Sequence, residues 1–202
     1  NQITKELLDH KVNFKPFWFK VIAVQKKSFK NLKAGEYELT TGIRLPEILD
    51  MFVQGKTKQH TITFPEGLSF KEIAKEIENN SNLDHTTQHI KYDQIMMQIS
   101  SIKQNAPQYF GIPSNLPEGL FFPDTYYFEK HTSDIALLKR AHDKMLKVLE
   151  AEWKNKADNL PLKTPYDALI LASIVEKETA QIAERPLIAG VFIRRLQTGM
   201  LL

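Results

Sequence analysis

Residues 164–179 read Thr-Pro-Tyr-Asp-Ala-Leu-Ile-Leu-Ala-Ser-Ile-Val-Glu-Lys-Glu-Thr, and this stretch restricts the fold of the 202-residue chain more than any other. Thr164 before Pro165, with Asp167 three residues after Thr164, predicts a helix start. The Thr side chain caps, Pro suits the first turn, and the carboxylate faces the positive end of the helix dipole. From Ala168 to Val175 nearly every side chain is apolar, which predicts a helix buried over most of its circumference. The same helix then delivers Glu176, Lys177 and Glu178. At about 100° per residue, Glu178 falls between Leu171, Ile174 and Val175, inside the apolar stripe, while Glu176 points well away from it. A carboxyl in an apolar wall has its charged form disfavoured, which suits a general acid near neutral pH. The competing structural reading is that Glu178 only marks the rim where the helix leaves the core, since structural carboxylates are perturbed too.

A second motif lies upstream. Leu-Pro-Glu-Gly-Leu-Phe-Phe-Pro-Asp-Thr-Tyr (116–126) is aromatic-rich for a loop, and Pro117-Glu118-Gly119-Leu120 repeats the Pro-Glu-Gly-Leu of 65–68. Both copies read as turns in which Gly takes a positive φ. On the functional reading, Tyr and Phe rings here face sugar rings while Glu118 and Asp124 accept hydroxyl hydrogen bonds. On the structural reading, an aromatic strand packs beneath the helix of 164–179.

Leu-Ala-Ser-Ile-Val-Glu-Lys-Glu-Thr (171–179) together with 116–126 resembles the membrane-anchored endolytic murein transglycosylases of the MltG/YceG-like family. Leu137-Leu138-Lys139-Arg140-Ala141-His142 and Val191-Phe192-Ile193-Arg194-Arg195-Leu196 follow the same family in the same order. The likeness is loose over the first hundred residues and tight from Leu116 onward. It implies that the second Glu of the Glu-Lys-Glu segment, Glu178, is catalytic, the residue that the helical wheel also singles out. Glycosidases usually place two carboxyls about the scissile bond, but one suffices if the substrate supplies its own nucleophile. The resemblance implies that mode: cleavage of the MurNAc-GlcNAc β-1,4 bond with 1,6-anhydro-MurNAc ends, which limits nascent glycan strand length. Glu176, Glu118, Asp124, Tyr126 and Ser173 are the supporting or substrate-binding candidates. No metal or organic cofactor is expected.

The resemblance further implies a single-pass anchor in the bacterial cytoplasmic membrane upstream of Asn1, with the catalytic part on the outer side. Peptidoglycan glycan strands are the implied substrate and peptidoglycan synthases the implied partners. Asn1 in place of Met, and the ending Met200-Leu201-Leu202, lead us to expect a fragment, with further catalytic-domain strands beyond Leu202.

Composition narrows the alternatives. Apolar content of 42% and charged content of 25% are those of an ordinary globular protein. A net charge of +3, with no basic block interleaved with aromatics, argues against nucleic acid. The absence of cysteine excludes disulfides and thiol chemistry. No apolar run approaches about 20 residues, so no bilayer span is expected within this sequence.

The expected fold is α+β, a small LysM-like α/β module followed by a mainly helical catalytic domain with a few strands. Residues 1–42 form the partial module, 43–84 an α/β connecting segment, and 85–202 the incomplete catalytic domain. Helices are expected over 3–10 and 16–26, with a half-buried strand at Glu36–Thr40. That order is what remains of a βααβ unit whose first strand lies upstream. Arg44–Val53 reads as a helix stopped by Gly55, and His60–Phe64 as a strand. Ser69 with Glu72 forms a capping box ahead of Ile73, Ala74 and Ile77. Asn79–Thr87 reads as a polar connection and Gln88–Ile102 as a helix. Ser133–Lys154 is a long amphipathic helix whose Lys139, Arg140, Lys144 and Lys147 form a solvated basic side. A last helix begins at Glu184-Arg185-Pro186, with Leu187, Val191, Phe192 and Leu196 inward, and Arg194 and Arg195 within reach of an anionic group.

Two competing functions remain from the residues. The first is a non-catalytic peptidoglycan-binding or scaffold protein, for which Glu178 would be dispensable. The second is a Ser–Lys nucleophile from Ser173 and Lys177, one turn apart but with no oxyanion-hole glycine after Ser173. His85 and His89, four apart with no third ligand evident among the surrounding Asp, Thr and Gln, read as a solvated polar loop and not as a metal site.

Overall fold

The computed structural model describes residues 2–10, 12–25, 31–87, 92–100, 110–112 and 116–201. They form two compact units, Asn1–His60 and Thr61–Leu202, so the junction falls inside the segment 43–84. As the sequence predicts, the architecture is α+β with few strands.

The first unit is built on α1 (Gln2–Asp9), α2 (Pro16–Gln25) and α3 (Leu45–Gln54). Leu7, Phe19, Ala23, Ile48, Leu49 and Phe52 form its core. Glu47 accepts the Arg44 N–H at 2.9 Å at the start of α3, and Gly55 ends that helix at φ +68°. This is the left-handed stop that the sequence predicts. Glu36–Thr40 corrects the sequence reading, because it belongs to no strand. A strand requires a ladder of backbone bonds. Here the Lys58 N–H donates to the Glu36 carbonyl at 2.7 Å, and side chains provide the remaining anchorage. Tyr37 packs on Phe52 with ring centroids 4.5 Å apart and donates its hydroxyl to the Lys33 carbonyl at 2.8 Å.

The strand β1 (Gln59–Phe64) carries the chain into the second unit and pairs with β3 (Asp124–Glu129). The Thr63 and Thr125 hydroxyls share a hydrogen bond of 2.8 Å. Between them lie α4 (Phe70–Glu78), β2 (Leu83–Asp84) and α5 (Tyr92–Ser100). The two-residue strand β4 (Thr132–Ser133) runs parallel to β2, with Leu83 opposite Thr132 and Asp84 opposite Ser133. The helices α6 (Asp134–Lys154), α7 (Pro165–Glu178) and α8 (Arg185–Gln197) complete the unit, with a 3-10 turn at Ile182–Glu184 before the last.

Period-2 and period-3.6 patterns meet in one core. β3 contributes Tyr126 and Phe128, α4 contributes Phe70, Ile73 and Ile77, and α6 contributes Leu137, Leu138 and Ala141. Ile95, Met96 and Ile99 of α5 are buried, while Gln88, His89 and Ile102 lie outside the described residues. The polar stretch before α5 also has a structural job. Asp134, wholly buried at the start of α6, accepts from the Thr86 hydroxyl, from the Thr87 hydroxyl at 2.6 Å and from the Thr87 N–H at 2.9 Å.

The basic side of α6 corrects a second expectation. Lys144 forms an ion pair with Asp124, and Arg140 donates to the Tyr127 carbonyl at 2.7 Å. These two cations pin β3 to the helix, while Lys139 pairs with Asp143 at 2.7 Å.

Candidate active site

α7 begins as its sequence dictates. The Thr164 hydroxyl accepts the Asp167 N–H at 3.2 Å, and the Asp167 carboxylate accepts the N–H groups of Lys163 and Thr164, each at 2.9 Å. The packing of α7 differs from the expectation. Pro165, Leu171 and Val175 are buried, whereas Ile170, Ala172 and Ser173 are exposed. Tyr166 and Leu169 are partly buried against the core of the second unit. One face of α7 is therefore covered, not most of its circumference.

Glu178 is the last residue of α7, and it is exposed. This corrects the expectation that it stands in an apolar wall. The buried position beside Val175 belongs to Thr179 instead, and no residue of α8 is buried. Leu187 and Val191, expected to point inward, are exposed. Among the described residues, then, no second apolar layer closes over the end of α7. The Glu178 carboxylate makes no hydrogen bond or ion pair among the described residues.

Its neighbours are held. Arg185 Nη2 donates to Glu176 Oε1 at 3.0 Å and lies 2.9 Å from Oε2. The Thr179 hydroxyl donates to Glu184 Oε2 at 2.8 Å and accepts the Gln181 N–H at 3.0 Å. On the other side, the turn at Pro65-Glu66-Gly67 lies against Lys177 and Glu176. A Cβ added to Gly67 would stand 3.3 Å from Lys177 Nζ and 3.9 Å from Glu176 Cγ. Lys177 also bears on Glu72. The carboxyl of Glu72 is held below the usual range, first by the Ser69 hydroxyl and backbone N–H and then by the charge of Lys177. The matching turn at Gly119 lies alongside the same helix, 3.8 Å from Leu169 by the same measure. The repeated Pro-Glu-Gly-Leu thus marks two turns that abut α7 at successive levels.

The other sequence candidates lie elsewhere in this frame. Glu118 accepts the Phe70 N–H with both oxygens, at 3.2 and 3.1 Å, where the start of α4 leaves that donor free. Asp124 is paired with Lys144 and accepts the Thr125 N–H at 2.7 Å. The Lys144 hydrogen bond, then the Thr125 N–H, holds its carboxyl below the usual range. Tyr126 is a core residue, 7% exposed, which corrects its reading as a sugar-facing ring. Its hydroxyl donates to the Phe122 carbonyl at 2.6 Å, and burial pushes its pKa up to about 12. Its neighbour Tyr127 points outward, 61% exposed, as the alternation of β3 requires. The Ser173 hydroxyl donates to the Ile170 carbonyl of its own helix at 2.7 Å, and Lys177 lies over Gly67. No cluster among the described residues groups three potential metal ligands, and His89 lies outside them.

The clamp residues Thr179, Glu184 and Arg185 were missed by sequence reasoning. Glu176 and Arg185 are nine apart across a helix break, beyond any i,i+4 rule.

Against known proteins, the model of the YceG-like family matches residues 1–202. The chain is 30% identical over 194 residues to an endolytic murein transglycosylase of Streptococcus pneumoniae R6, an alignment covering 86% of this chain and 34% of that protein. An endolytic murein transglycosylase of Bacillus subtilis 168 is 27% identical over 184 residues, covering 88% of this chain and 51% of that protein. The chain therefore spans a third to a half of these curated relatives. A crystal structure of a yceG-like protein from Listeria monocytogenes superposes with a TM-score of 0.54 at 24% identity, covering 98% of this chain and 67% of that one. That likeness bears on the fold.

Proposed function

The chain belongs to the YceG-like family, and from that premise we propose that it carries the acid–base residue of an endolytic peptidoglycan lytic transglycosylase. The observation that carries the reading is the contrast at the end of α7. Of its two terminal acids, Glu176 is engaged by Arg185, while Glu178 faces solvent without a partner among the described residues. The curated relatives named as endolytic murein transglycosylases support the substrate class.

In the proposed reaction, the Glu178 carboxyl protonates the glycosidic oxygen as the bond from MurNAc C1 to the departing GlcNAc breaks. The C6 hydroxyl of the same MurNAc bonds to C1 and gives its proton to the Glu178 carboxylate. The acid is thereby regenerated, no water is consumed, and the product ends in a 1,6-anhydro sugar. A glycan bound over Glu178 would shield the carboxyl from water and so favour its protonated form. Glu176 acts on Glu178 only indirectly. Tyr127, exposed on β3, and Glu66, exposed in the turn beside Lys177 and Glu176, are more accessible to a sugar than the buried Tyr126.

We further propose a location at the outer face of the cytoplasmic membrane, next to peptidoglycan synthases, where new glycan strands are made. No helix among the described residues is long and apolar enough to cross a membrane. Selective labelling of the protein from outside spheroplasts would test the location.

The decisive experiment digests purified glycan strands with the full-length protein and reads the ends by mass spectrometry. Anhydro ends are expected, and Glu178→Gln lowers their formation by about 10²–10⁴-fold with unchanged melting temperature. Reducing ends indicate a hydrolase. Binding without cleavage indicates a scaffold.

A further inference from the structure

Glu178 sits where a helix is least able to hold a side chain still. The last carbonyls of a helix lack intrahelical donors, and terminal turns fray unless something outside the helix holds them. The final backbone bond here, from the Thr179 N–H to the Val175 carbonyl, is long at 3.4 Å. Side chains from the following segment provide the hold. Arg185 grips both oxygens of Glu176 from the start of α8, and Glu184 accepts the hydroxyl of Thr179. These two ties bracket Glu178 in the sequence, at 176 and 179, and both run to consecutive residues of one rigid corner. The 3-10 turn at Ile182–Glu184 sets that corner, with the Glu184 N–H donating to the Gln181 carbonyl at 3.0 Å.

We propose that Arg185 is a positioning residue for Glu178. By clamping Glu176 across the corner between α7 and α8, it fixes the last turn of α7 and so the direction in which the Glu178 carboxyl projects. This rests on the reading of Glu178 as the proton donor. One guanidinium nitrogen, Nη2, reaches both carboxylate oxygens, and this charge-assisted contact ties the Glu176 side chain to the start of α8. The pair is partly accessible, with side chains 34% and 28% exposed, so its loss changes global stability little. Its loss is expensive in catalysis instead, because a misplacement of about 1 Å at a reacting group costs about 10²-fold.

The test uses the full chain with Arg185→Met, Arg185→Lys, Glu176→Gln and the double variant Glu176→Gln/Arg185→Met. Amide exchange at residues 177–180, kcat and KM on glycan strands, and Tm are measured for each. For Arg185→Met we expect faster exchange at Glu178 and Thr179, a kcat lower by roughly ten- to hundredfold, and a KM within about twofold. Arg185→Lys recovers part of the loss. The double variant is no worse than either single change, as two halves of one contact require. The proposal fails if exchange and kcat are both unchanged, or if the single losses multiply in the double variant. It also fails if the loss falls on KM alone, which would make Arg185 a substrate contact through its Nε, buried and unbonded among the described residues. Should Arg185→Met fold poorly, Glu176→Gln, nearly isosteric, carries the same expectations. If the native chain cleaves no glycan, or Glu178→Gln cleaves as well as native, the functional reading is lost. The exchange data then still decide whether Arg185 holds the helix end.

Discussion

Gly67 is where a single atom has the most leverage on the candidate site. Its φ of +77° lies in the left-handed region, and the space where a Cβ would stand is bounded by the end of Lys177. An L-residue at such a φ costs about 1–2 kcal/mol, and the flexible Lys177 amine can swing aside. We therefore expect Gly67→Ala to lower unfolding free energy by about 1–2 kcal/mol in denaturant titrations, the conformational cost alone. It also displaces Lys177 from the turn, so glycan cleavage falls in parallel. The contrasting position is Gly42, at φ +87° with open space around it. Ala there incurs the same strain without touching the site, so Gly42→Ala separates a stability loss from an activity loss.

At the scale of elements, α7 is set at its two ends by different physics. Its start is a closed set of local bonds among Lys163, Thr164 and Asp167, and its finish depends on residues beyond the helix. Thr164→Ala removes the cap and is expected to cost about 1 kcal/mol, read as a shift of the denaturation midpoint with an unchanged slope. It leaves the Glu176–Arg185 clamp intact, so turnover per folded molecule stays near native. The strand β3 shows the same dependence on its surroundings. Two strands alone are marginal in water, and β3 is secured by Arg140 and Lys144 reaching from α6. Arg140→Ala is expected to speed amide exchange across residues 124–129 more than in α6 itself.

For the molecule as a whole, the buried ionisable groups predict a stepwise response to acid. His142 is buried, with Nδ1 3.1 Å from the Leu120 carbonyl, and burial, the largest influence, holds its pKa below the ordinary 6.5. Below that value the unfolded chain takes up a proton that the folded chain refuses. Stability therefore rises with pH through this window and falls as pH drops from 7 toward the lower folded value. Asp134 acts further down. Burial alone would raise its pKa, but the hydrogen bonds from Thr86, Thr87 and Ile135 outweigh it, and the net shift is downward from 3.8. Its contribution is present above 3.8 and is lost as pH falls through the folded value. Unfolding free energy measured from pH 7.5 to 3 is expected to decline in two stages. His142→Asn, whose amide can replace the Nδ1 donor, removes the first stage only.

Much of this molecule is written locally. The starts of α4 and α7 and the stop at Gly55 each depend on a few adjacent residues. Caps, positive φ and side-chain period act over one turn or one pleat, so they could be read from order alone. The helix end that carries the proposed acid was legible for the same reason. What order could not give is which groups meet across long separations: Glu118 with Phe70, Asp124 with Lys144, Glu176 with Arg185. Nor could order give the surroundings of Glu36–Thr40, which belongs to no strand, or of Glu178, which is exposed where the wheel had placed it against apolar neighbours. A helical wheel gives the direction of a side chain, but only the tertiary structure supplies, or withholds, the surface it would face.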